Sequence, residues 1–455
     1  MKKCFLTLLL VAMFSLVACN FNEAQVAVGT AETNQEAIVN GKVPFARAIS
    51  NADFVFKNIE SLNYKKRKVK SVDVLTKSSS RISRSSLQDE QEQPLAYVVN
   101  YENNEGYAIL AANTKLPPVI SIGDEGNFNT EGFVEFTQNS GNTRSGTSGN
   151  LNPAQEIQYA LVNNSLIIPP IDFGDFPLMG RDTTVILKCL PLVSTKWGQR
   201  EPYNYYSDTY VNEADGDTYL GAAGCVPVAG AQVLASLCYH HNWQPTTQLS
   251  EVFYMDWSAI NKMLFNDIIR FSTDDYSENA LSVASFIRAV GESVNAQYGW
   301  NTGANTGLLV DTYQTLGIIE SRYGSETYGD LVTKDDIFSM IVSKNYPVNA
   351  RAKDANSTGG HSFVLDGWLR LEYSLLFSNS SEIDPGIRSN LNNVQYNFDL
   401  VHVNFGWNGE NDGYYMPDAF NLTEDKYREY AENNDVEHYS TKVYDLNVRY
   451  LIYDL

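Results

Sequence analysis

The chain has 455 residues, of which 43% are hydrophobic, and it carries a formal net charge of −21. This length predicts two or three domains, and the apolar fraction is too high for general disorder. The charge argues against nucleic acid as a partner, because phosphate binding needs clustered Lys and Arg side chains. The acidic excess lies mainly in residues 181–455, which hold 36 acidic and 18 basic side chains.

A basic segment precedes this acidic half. Residues 57–84 carry nine basic side chains, with Glu60 and Asp73 as the acidic ones. A solvated run of charge is the simpler interpretation. The alternative hypothesis is that this segment helps the first half of the chain to dock on the acidic second half.

The N-terminus is typical of a bacterial export signal. Two lysines precede an apolar run over residues 5–14, which is too short for a membrane-spanning helix with the usual flanks. Leu16-Val17-Ala18-Cys19 resembles the lipobox, in which the Cys is lipidated and begins the mature chain. We therefore expect a signal peptide over residues 1–18 and a lipid anchor in the cell envelope, either periplasmic or outer-membrane. A simple cleaved signal with an incidental Cys is the alternative.

The region after a polar tether (residues 19–40) has mixed character. Two apolar runs, Tyr97–Tyr101 and Tyr107–Ala111, flank an Asn- and Gly-containing turn and predict a β-hairpin. Another strand is predicted over residues 117–122.

Two features then predict the end of this first region. Residues 138–153 are rich in Asn, Ser, Gly and Thr and predict a linker around Arg144, followed by a helix over residues 154–164. Three prolines break the chain before Arg181.

The clearest helix of the second half begins at Cys225. Its apolar side chains recur at helical spacing: Val226, Ala229, Gly230, Val233, Leu234, Leu237 and Cys238. The partial positive charge of a helix N-terminus favours a thiolate, so Cys225 is the candidate nucleophile. Cys238 lies on the apolar face and is predicted to be a buried structural thiol. Three thiols remain beyond the signal, Cys189 included, so they cannot all pair.

The candidate general base is His361, which begins a short strand after two glycines. It follows Cys225 by 136 residues, within the separation of about 130–150 typical of papain-like enzymes. A second strand carries Asn404, which we expect to bond to the other imidazole nitrogen and orient the ring. His402 has the same strand parity as Asn404 and remains the competing imidazole.

An oxyanion site is predicted upstream of the nucleophile. Gln199 precedes Cys225 by 26 residues. An amide donor there would complement the Cys225 backbone N–H and stabilise a tetrahedral oxyanion. Taken alone, Gln199 reads as a surface glutamine.

In combination these segments resemble the streptopain family of papain-fold cysteine peptidases. The likeness covers about residues 94–128 and 185–417. Its motifs are Trp197-Gly198-Gln199 with Pro202-Tyr203-Asn204, Gly224-Cys225-Val226 with Ala231-Gln232, Gly360-His361-Ser362-Phe363-Val364, and His402-Val403-Asn404 with Gly406-Trp407. The hairpin ending in Gly123-Asp124-Glu125-Gly126-Asn127-Phe128 resembles the propeptide of that family.

The resemblance implies a cysteine endopeptidase in which Cys225 attacks a peptide carbonyl and His361 shuttles the proton. It implies that Gln199 contributes to the oxyanion hole and that Asn404 steadies the histidine. Trp407 would shield the site from water, and Gly360 would lie beside the bound peptide.

The resemblance further implies a zymogen that acts on protein substrates and is inhibited by its own propeptide. We assign residues 41–180 to the propeptide and residues 181–455 to the catalytic domain. Activation by cleavage is expected near Arg181, with Arg144 as an earlier accessible site.

Two departures from the family pattern stand out. Phe405 occupies a position where the family usually has Trp, which concerns one wall of the site. The stretch between His361 and Asn404 is also long, and residues 369–397 predict an extended hairpin with a large surface loop.

The expected fold class is α+β: a nucleophile helix packed on an antiparallel sheet, preceded by an α+β propeptide domain. We expect no cofactor, since the sequence shows neither zinc-type Cys/His spacing nor a phosphate-binding glycine loop. Two other functions stay open. One is a Cys-His amidase or acyltransferase acting on cell wall, and the other is a catalytically silent surface binding protein.

Overall fold

A computed structural model describes residues 42–60, 64–76, 94–114, 116–139, 151–167, 178–326, 329–353, 360–377, 395–423, 426 and 443–455. In these ranges no helix is both long enough and apolar enough to cross a membrane. The signal segment and tether, with Cys19, lie outside them.

The described strands form one large sheet and one small hairpin. The strands are β1 (Val69–Thr76), β2 (Pro94–Tyr101), β3 (Tyr107–Ala111), β4 (Val119–Gly123), β5 (Leu178–Cys189), β6 (Thr209–Val211), β7 (Thr218–Leu220), β8 (Ile319–Ser325), β9 (Asp330–Leu331), β10 (Val348–Ala352), β11 (His361–Phe377), β12 (Gln395–Asn404), β13 (Gly413–Tyr415) and β14 (Arg449–Asp454). The large sheet runs β1-β2-β3-β4-β13-β12-β11-β10-β14-β8-β9, with β5 also paired to β11, and β6 pairs with β7.

The described α-helices pack around this sheet. They are α1 (Phe45–Glu60), α2 (Thr130–Asn139), α3 (Pro153–Ile167), α4 (Cys225–His241), α5 (Trp257–Phe265), α6 (Glu278–Ser293), α7 (Leu309–Thr315) and α8 (Lys334–Phe338). Helix α4 packs against β11, α5 and α6. This placement explains its apolar composition, because its residues from Val226 to Cys238 are all buried.

Residues 42–167 form an N-terminal unit of α1–α3 and β1–β4. The predicted hairpin is confirmed: β2 and β3 pair with Ala96 opposite Ala111 and Asn100 opposite Tyr107. Asn103 and Asn104 both adopt positive φ in the turn, which Asn tolerates better than most residues. The predicted strand over residues 117–122 and the predicted helix over residues 154–164 correspond to β4 and α3.

The N-terminal unit joins the rest of the protein edge to edge. Strand β4 pairs antiparallel with β13, so that Gly123 lies opposite Gly413 and Ser121 opposite Tyr415. The two sheets are therefore continuous. The Tyr107 and Tyr415 hydroxyls hydrogen-bond across the same junction at 2.9 Å. Helix α3 spans this junction, since it packs against β4 of the N-terminal unit and against β13 and β11 of the C-terminal unit.

The domain boundary that we placed between residues 180 and 181 falls inside an element. Strand β5 begins at Leu178 and pairs with β11 through Cys189. Residues on both sides of the predicted boundary therefore belong to one paired strand. Arg181 itself lies opposite Leu375 in that ladder.

The proposed docking role of the basic segment is not supported by its described part. Lys66 pairs with Asp53, Arg67 with Glu60 and Lys68 with Glu102. All six side chains belong to the N-terminal unit. These basic side chains therefore pair with carboxylates of their own unit. Residues 77–84 lie outside the described ranges.

Strands β11 and β12 form the platform of the C-terminal unit. They pair from Val364 opposite Asn404 to Ser374 opposite Gln395, which confirms the extended hairpin. A helix carrying Cys225 packs on this antiparallel platform, and a separate α+β unit precedes it. The predicted α+β fold class is confirmed.

Candidate active site

Cys225 is the first residue of α4. Gly224 before it has a φ of +94°, and an added Cβ there would lie 2.8 Å from Thr302 Cγ2. Position 224 therefore favours glycine both for its backbone conformation and for the close approach of Thr302. The resulting turn presents the thiol at the helix N-terminus, as the sequence predicts.

Backbone amides surround the sulfur. The N–H groups of Ser362 and Val226, together with the Cys225 N–H, lower the thiol pKa, and the charge of Arg351 acts in the same direction. Burial is the larger effect and raises the pKa above its ordinary value. Cys225 keeps partial contact with solvent, but its thiol is enclosed and is held in the protonated form in the intact chain.

His361 begins β11 and is 1% exposed. Its Nε2 lies 2.7 Å from the Phe405 carbonyl oxygen. A carbonyl can only accept, so Nε2 carries the proton, and Nδ1 is the basic nitrogen of the neutral ring. Burial lowers the His361 pKa to about 4, against a smaller opposing effect of this hydrogen bond.

The structure brings the nucleophile and the histidine to one site. The Ser362 amide that faces Cys225 belongs to the residue directly after His361. No hydrogen bond joins the thiol to the imidazole among the described residues. With the thiol pKa raised and the imidazole pKa lowered, both groups are neutral near pH 7 in the intact chain.

The N-terminal unit covers this histidine. A small cavity is bounded on one side by Gly360 and His361 and on the other by Phe136 of α2 and by Ile157 and Ala160 of α3. Glu156 of α3 and Lys353 also line this cavity, and burial of the imidazole is the cause of its low pKa.

Asn404 does not accept the imidazole N–H, which corrects the role that we predicted for it. Its Oδ1 accepts from Gln232 Nε2 and from the Gly406 amide, each at 3.0 Å, and its Nδ2 donates to the Thr195 carbonyl at 2.8 Å. The carbonyl of Phe405, the next residue, orients His361 instead. A backbone carbonyl can orient the ring whatever side chain its residue carries.

Gln232, which the sequence motif includes without a role, is a positioning residue. It is fully buried on α4, and its Oε1 accepts from Thr195 Oγ1 at 3.1 Å and from the Trp197 amide at 3.2 Å. With Asn404 it ties the segment before Gln199 to both the nucleophile helix and β12. A lone amide among apolar helix residues was the available signal.

The main chain of Gln199 lies beside the residues that lead into α4. Its carbonyl accepts from the Ala223 amide at 2.8 Å, two residues before Cys225. The side chain is 8% exposed, and its Nε2 is buried without a hydrogen-bond partner in the described structure. A buried donor without a partner is unfavourable by about 1–3 kcal/mol, which suggests a partner that arrives with the substrate.

Trp407 and Gly360 border the same site. The Trp407 ring lies 6.4 Å from that of His361, and its indole N–H is buried without a partner in the described residues. A Cβ at Gly360 would approach the Ala352 carbonyl oxygen to 2.9 Å. Phe405 stands where the family usually has Trp. Its ring centroid lies 6.1 Å from that of the imidazole and forms one wall of the site.

His402 is excluded as the competing base. Its Nδ1 lies 2.6 Å from Asp366 Oδ1 and its Nε2 lies 3.0 Å from Asp124 Oδ2. Both carboxylates accept, so both ring nitrogens donate, and the ring has no lone pair with which to take a proton.

The remaining thiols and imidazoles have structural surroundings. Cys238 is fully buried, and burial raises its pKa to about 12, as expected for a structural thiol. Cys189 is also buried, and its Sγ lies 3.5 Å from the Ile341 carbonyl oxygen. His240 and His241 each bond to a backbone carbonyl. No group of metal-binding side chains occurs within the described ranges, and Arg144 and His438 lie outside them.

Comparison with known proteins follows this geometry. Residues 197–415 match the Peptidase C10 family, and residues 50–138 match the Spi protease inhibitor family. The sequence is 24% identical over 264 residues to streptopain from Streptococcus pyogenes serotype M1, and 23% identical over 262 residues to that from serotype M28. Each match covers 52% of this chain and 57% of the relative, so the chain spans little more than half of their length.

Among solved structures, a mutant fragment of Prevotella intermedia prointerpain A is similar at 18% identity. The match covers 78% of this chain and 94% of that chain, with a TM-score of 0.44.

Proposed function

We propose that the chain is a cysteine endopeptidase of the peptidase C10 family, made as a zymogen with its N-terminal unit as the inhibitory prodomain. One observation supports the catalytic part above all. Three elements distant in sequence converge near the N-terminus of α4: Cys225 itself, the main chain of Gln199 bonded to Ala223, and β11 with His361.

The reaction follows from the roles of these groups. The Cys225 thiol gives its proton to His361, and the thiolate attacks the peptide carbonyl carbon. The oxyanion that forms accepts from the Cys225 amide and from Gln199 Nε2. The C–N bond then breaks as the imidazolium protonates the leaving amine. Water, deprotonated by the imidazole, hydrolyses the thioester and restores the thiol.

Latency follows from what covers the site. Burial of His361, beside a cavity that α2 and α3 help to line, favours the neutral imidazole, and burial of the thiol favours its protonated form. A thiol with a neutral histidine is a poor nucleophile. Cleavage that releases the N-terminal unit would return water to the imidazole, raise its pKa and allow the thiolate–imidazolium pair to form.

Cleavage at Arg181 requires local opening, because that residue lies in a paired strand. We propose that processing begins between residues 139 and 153, around Arg144, and that a cut near residue 181 follows. The motif ending in Cys19 supports a further proposal, that the precursor is exported and anchored to the cell envelope through a lipid.

A pair of cysteine variants tests the catalytic proposal. Cys225→Ala removes the nucleophile and is expected to abolish both hydrolysis of a denatured protein substrate and self-processing. Cys238→Ala is the matched control, because it removes a buried thiol from the same helix. It is expected to process and hydrolyse, at some cost in stability from the lost packing. Mass spectrometry of chain fragments and a fluorogenic peptide assay measure both effects, and hydrolysis by Cys225→Ala would refute the proposal.

A further inference from the structure

The junction between the two units contains a charge arrangement opposite to the one that the sequence suggested. The N-terminal unit contributes two carboxylates directly after β4, Asp124 and Glu125, which we call the acidic turn. Glu125 Oε1 pairs with Arg270 at 2.5 Å and also with Lys196. Asp124 Oδ2 accepts from His402 Nε2 at 3.0 Å. All three cationic partners belong to the C-terminal unit.

The C-terminal unit holds His402 ready for this contact. Asp366 is fully buried, and its Oδ1 accepts from His402 Nδ1 while its Oδ2 accepts from the Val193 amide at 2.8 Å. The ring packs edge-on to Tyr414 at 4.9 Å. Residues of the C-terminal unit thus fix the imidazole so that Nε2 faces the N-terminal unit. The Asp124 amide, bonded to the Asp412 carbonyl at 2.9 Å, sets the opposing carboxylate in place.

The electrostatic environment favours a charged His402. The carboxylates of Asp366 and Asp124 raise its pKa well above the ordinary value, although burial alone would lower it. His402 and Lys196 in turn lower the pKa of Asp124, with a more distant contribution from Arg67.

Two further titratable groups face this cluster. Burial raises the pKa of Asp412 to about 7, so that its carboxyl is about half protonated in neutral solution and mostly protonated in mildly acidic solution. Burial also keeps the Tyr414 hydroxyl protonated, because it raises the pKa of that group. Without the acidic turn, His402, Lys196 and Arg270 would lose the two carboxylates that the N-terminal unit places against them.

We infer that His402, Lys196 and Arg270 form a binding site for an acidic turn, by which the C-terminal unit retains its N-terminal unit even after the connecting chain has been cut. This inference rests on the proposed zymogen function and identifies the contact that maintains it. Both carboxylates are partly exposed, at 29% for Asp124 and 36% for Glu125, but Asp124 meets the buried His402 ring whereas Glu125 meets the more exposed Lys196 and Arg270. The β4–β13 pairing aligns the acidic turn with the three basic side chains that bind it.

The pH range of this contact follows from the direction of each pKa. A raised His402 pKa gives binding that is complete below 6.5 and is lost as the pH rises through the raised value. A lowered Asp124 pKa gives binding that is lost only as the pH falls below 3.8. Acidification from pH 7 to pH 5 therefore leaves the contact intact, whereas alkaline solution weakens it.

Charge removal on the acidic turn tests the inference, since every such variant yields the same mature enzyme. Asp124→Asn in the full-length chain is expected to shorten the half-time of activation at pH 7 at least about tenfold. Glu125→Gln is expected to shorten it about two- to threefold, and less in 0.5 M salt than in 0.05 M, because exposed pairs are screened. Glu135→Gln, an equal charge change on the exposed face of α2, is the control and is expected to activate like the wild type.

Complete processing of each variant to the wild-type specific activity shows that it had folded. Equal half-times for Asp124→Asn, Glu125→Gln and Glu135→Gln would overturn the inference.

A measurement without catalysis separates this inference from the proposed function. Full-length Cys225→Ala protein is nicked by limited proteolysis between the units and passed over a sizing column at low concentration. The two fragments are expected to co-elute, and Glu125→Arg in the same background is expected to release the N-terminal fragment. Arg270→Glu added to Glu125→Arg is expected to restore co-elution, because the reversed pair can form again. Retention of the Glu125→Arg fragment would refute the binding site, whether or not the wild type proves to be a peptidase.

Discussion

Two buried side-chain amides near the nucleophile differ in what they contact. Every hydrogen-bonding atom of Asn404 is engaged by Gln232, Gly406 or Thr195. The Nε2 of Gln199 has no partner in the described structure. A satisfied amide stabilises the fold, whereas a donor held open near a nucleophile can bind charge that develops during a reaction. The contacts, and not the residue types, therefore separate the two roles.

Gln199→Ala and Asn404→Ala should have contrasting effects in the processed enzyme. Loss of the oxyanion donor is expected to lower kcat about 100-fold or more with little change in KM or Tm. Loss of Asn404 leaves three buried partners unpaired and is expected to destabilise the fold by about 2–4 kcal/mol. Steady-state kinetics with thermal unfolding measures both.

The acid limb of the pH–rate profile provides the control for this pair. This limb reports the pKa of His361. It is expected to be unchanged in Asn404→Ala because the Phe405 carbonyl orients the ring. A shifted acid limb would instead assign Asn404 the orienting role that the sequence predicted.

Among the secondary-structure elements, the pairing of β4 with β13 is the contact that makes one sheet of two units. An added Cβ at Gly413 would lie 2.2 Å from the Ile122 carbonyl oxygen, and its other near neighbours are also atoms of residues 122–123. All of these atoms belong to β4. A methyl group at position 413 would therefore oppose the paired state and meet none of them in a chain that has lost the N-terminal unit.

Gly413→Ala is expected to accelerate activation of the full-length chain by about tenfold, since a clash of this kind costs about 1–3 kcal/mol. The processed variant is expected to match the wild type in kcat/KM, because the clashing strand is gone. Activation half-times and the kinetics of the processed enzyme check the two halves of this prediction. Slow activation of the full-length variant, together with a low kcat/KM after processing, would show that position 413 matters to the catalytic fold itself.

For the whole molecule, the sequence predicted what local pattern determines. The β2–β3 hairpin, helix α4 and the β11–β12 pair follow from alternation, helical periodicity and turn residues, and each is present. Cys225, Gln199 and the strand of His361 converge as their motifs suggest. The orienting carbonyl of Phe405 was not predictable, because any residue presents a carbonyl.

The contacts that the sequence did not predict are long-range. Strand β5 crosses the expected domain boundary because its partner is β11, almost 200 residues away along the chain. The acidic turn meets His402 across 278 residues, and net charge per half gave the opposite polarity for docking. Average charge cannot predict which few side chains face each other at an interface.

Latency, in this structure, is a property of the assembled chain and not of any one residue. Burial favours the neutral forms of both the Cys225 thiol and the His361 imidazole, and α2 and α3 help to line the cavity beside His361. The helix N-terminus and three backbone amides favour the thiolate, so the C-terminal unit already contains what activation needs apart from water at the imidazole.

The alkylation rate of Cys225 should therefore follow different pH profiles in intact and processed protein. In the intact chain the thiol pKa lies above 9.0 and His361, with a pKa of about 4, carries no charge at neutral pH. Iodoacetamide labelling is then expected to be slow at pH 7 and to rise continuously toward alkaline pH. After processing, hydration of His361 should permit the ion pair, so that labelling at pH 7 becomes at least about tenfold faster and levels off at lower pH. Cys238, buried in both forms, should stay unlabelled, and identical profiles for the two forms would show that the N-terminal unit does not control the catalytic pair.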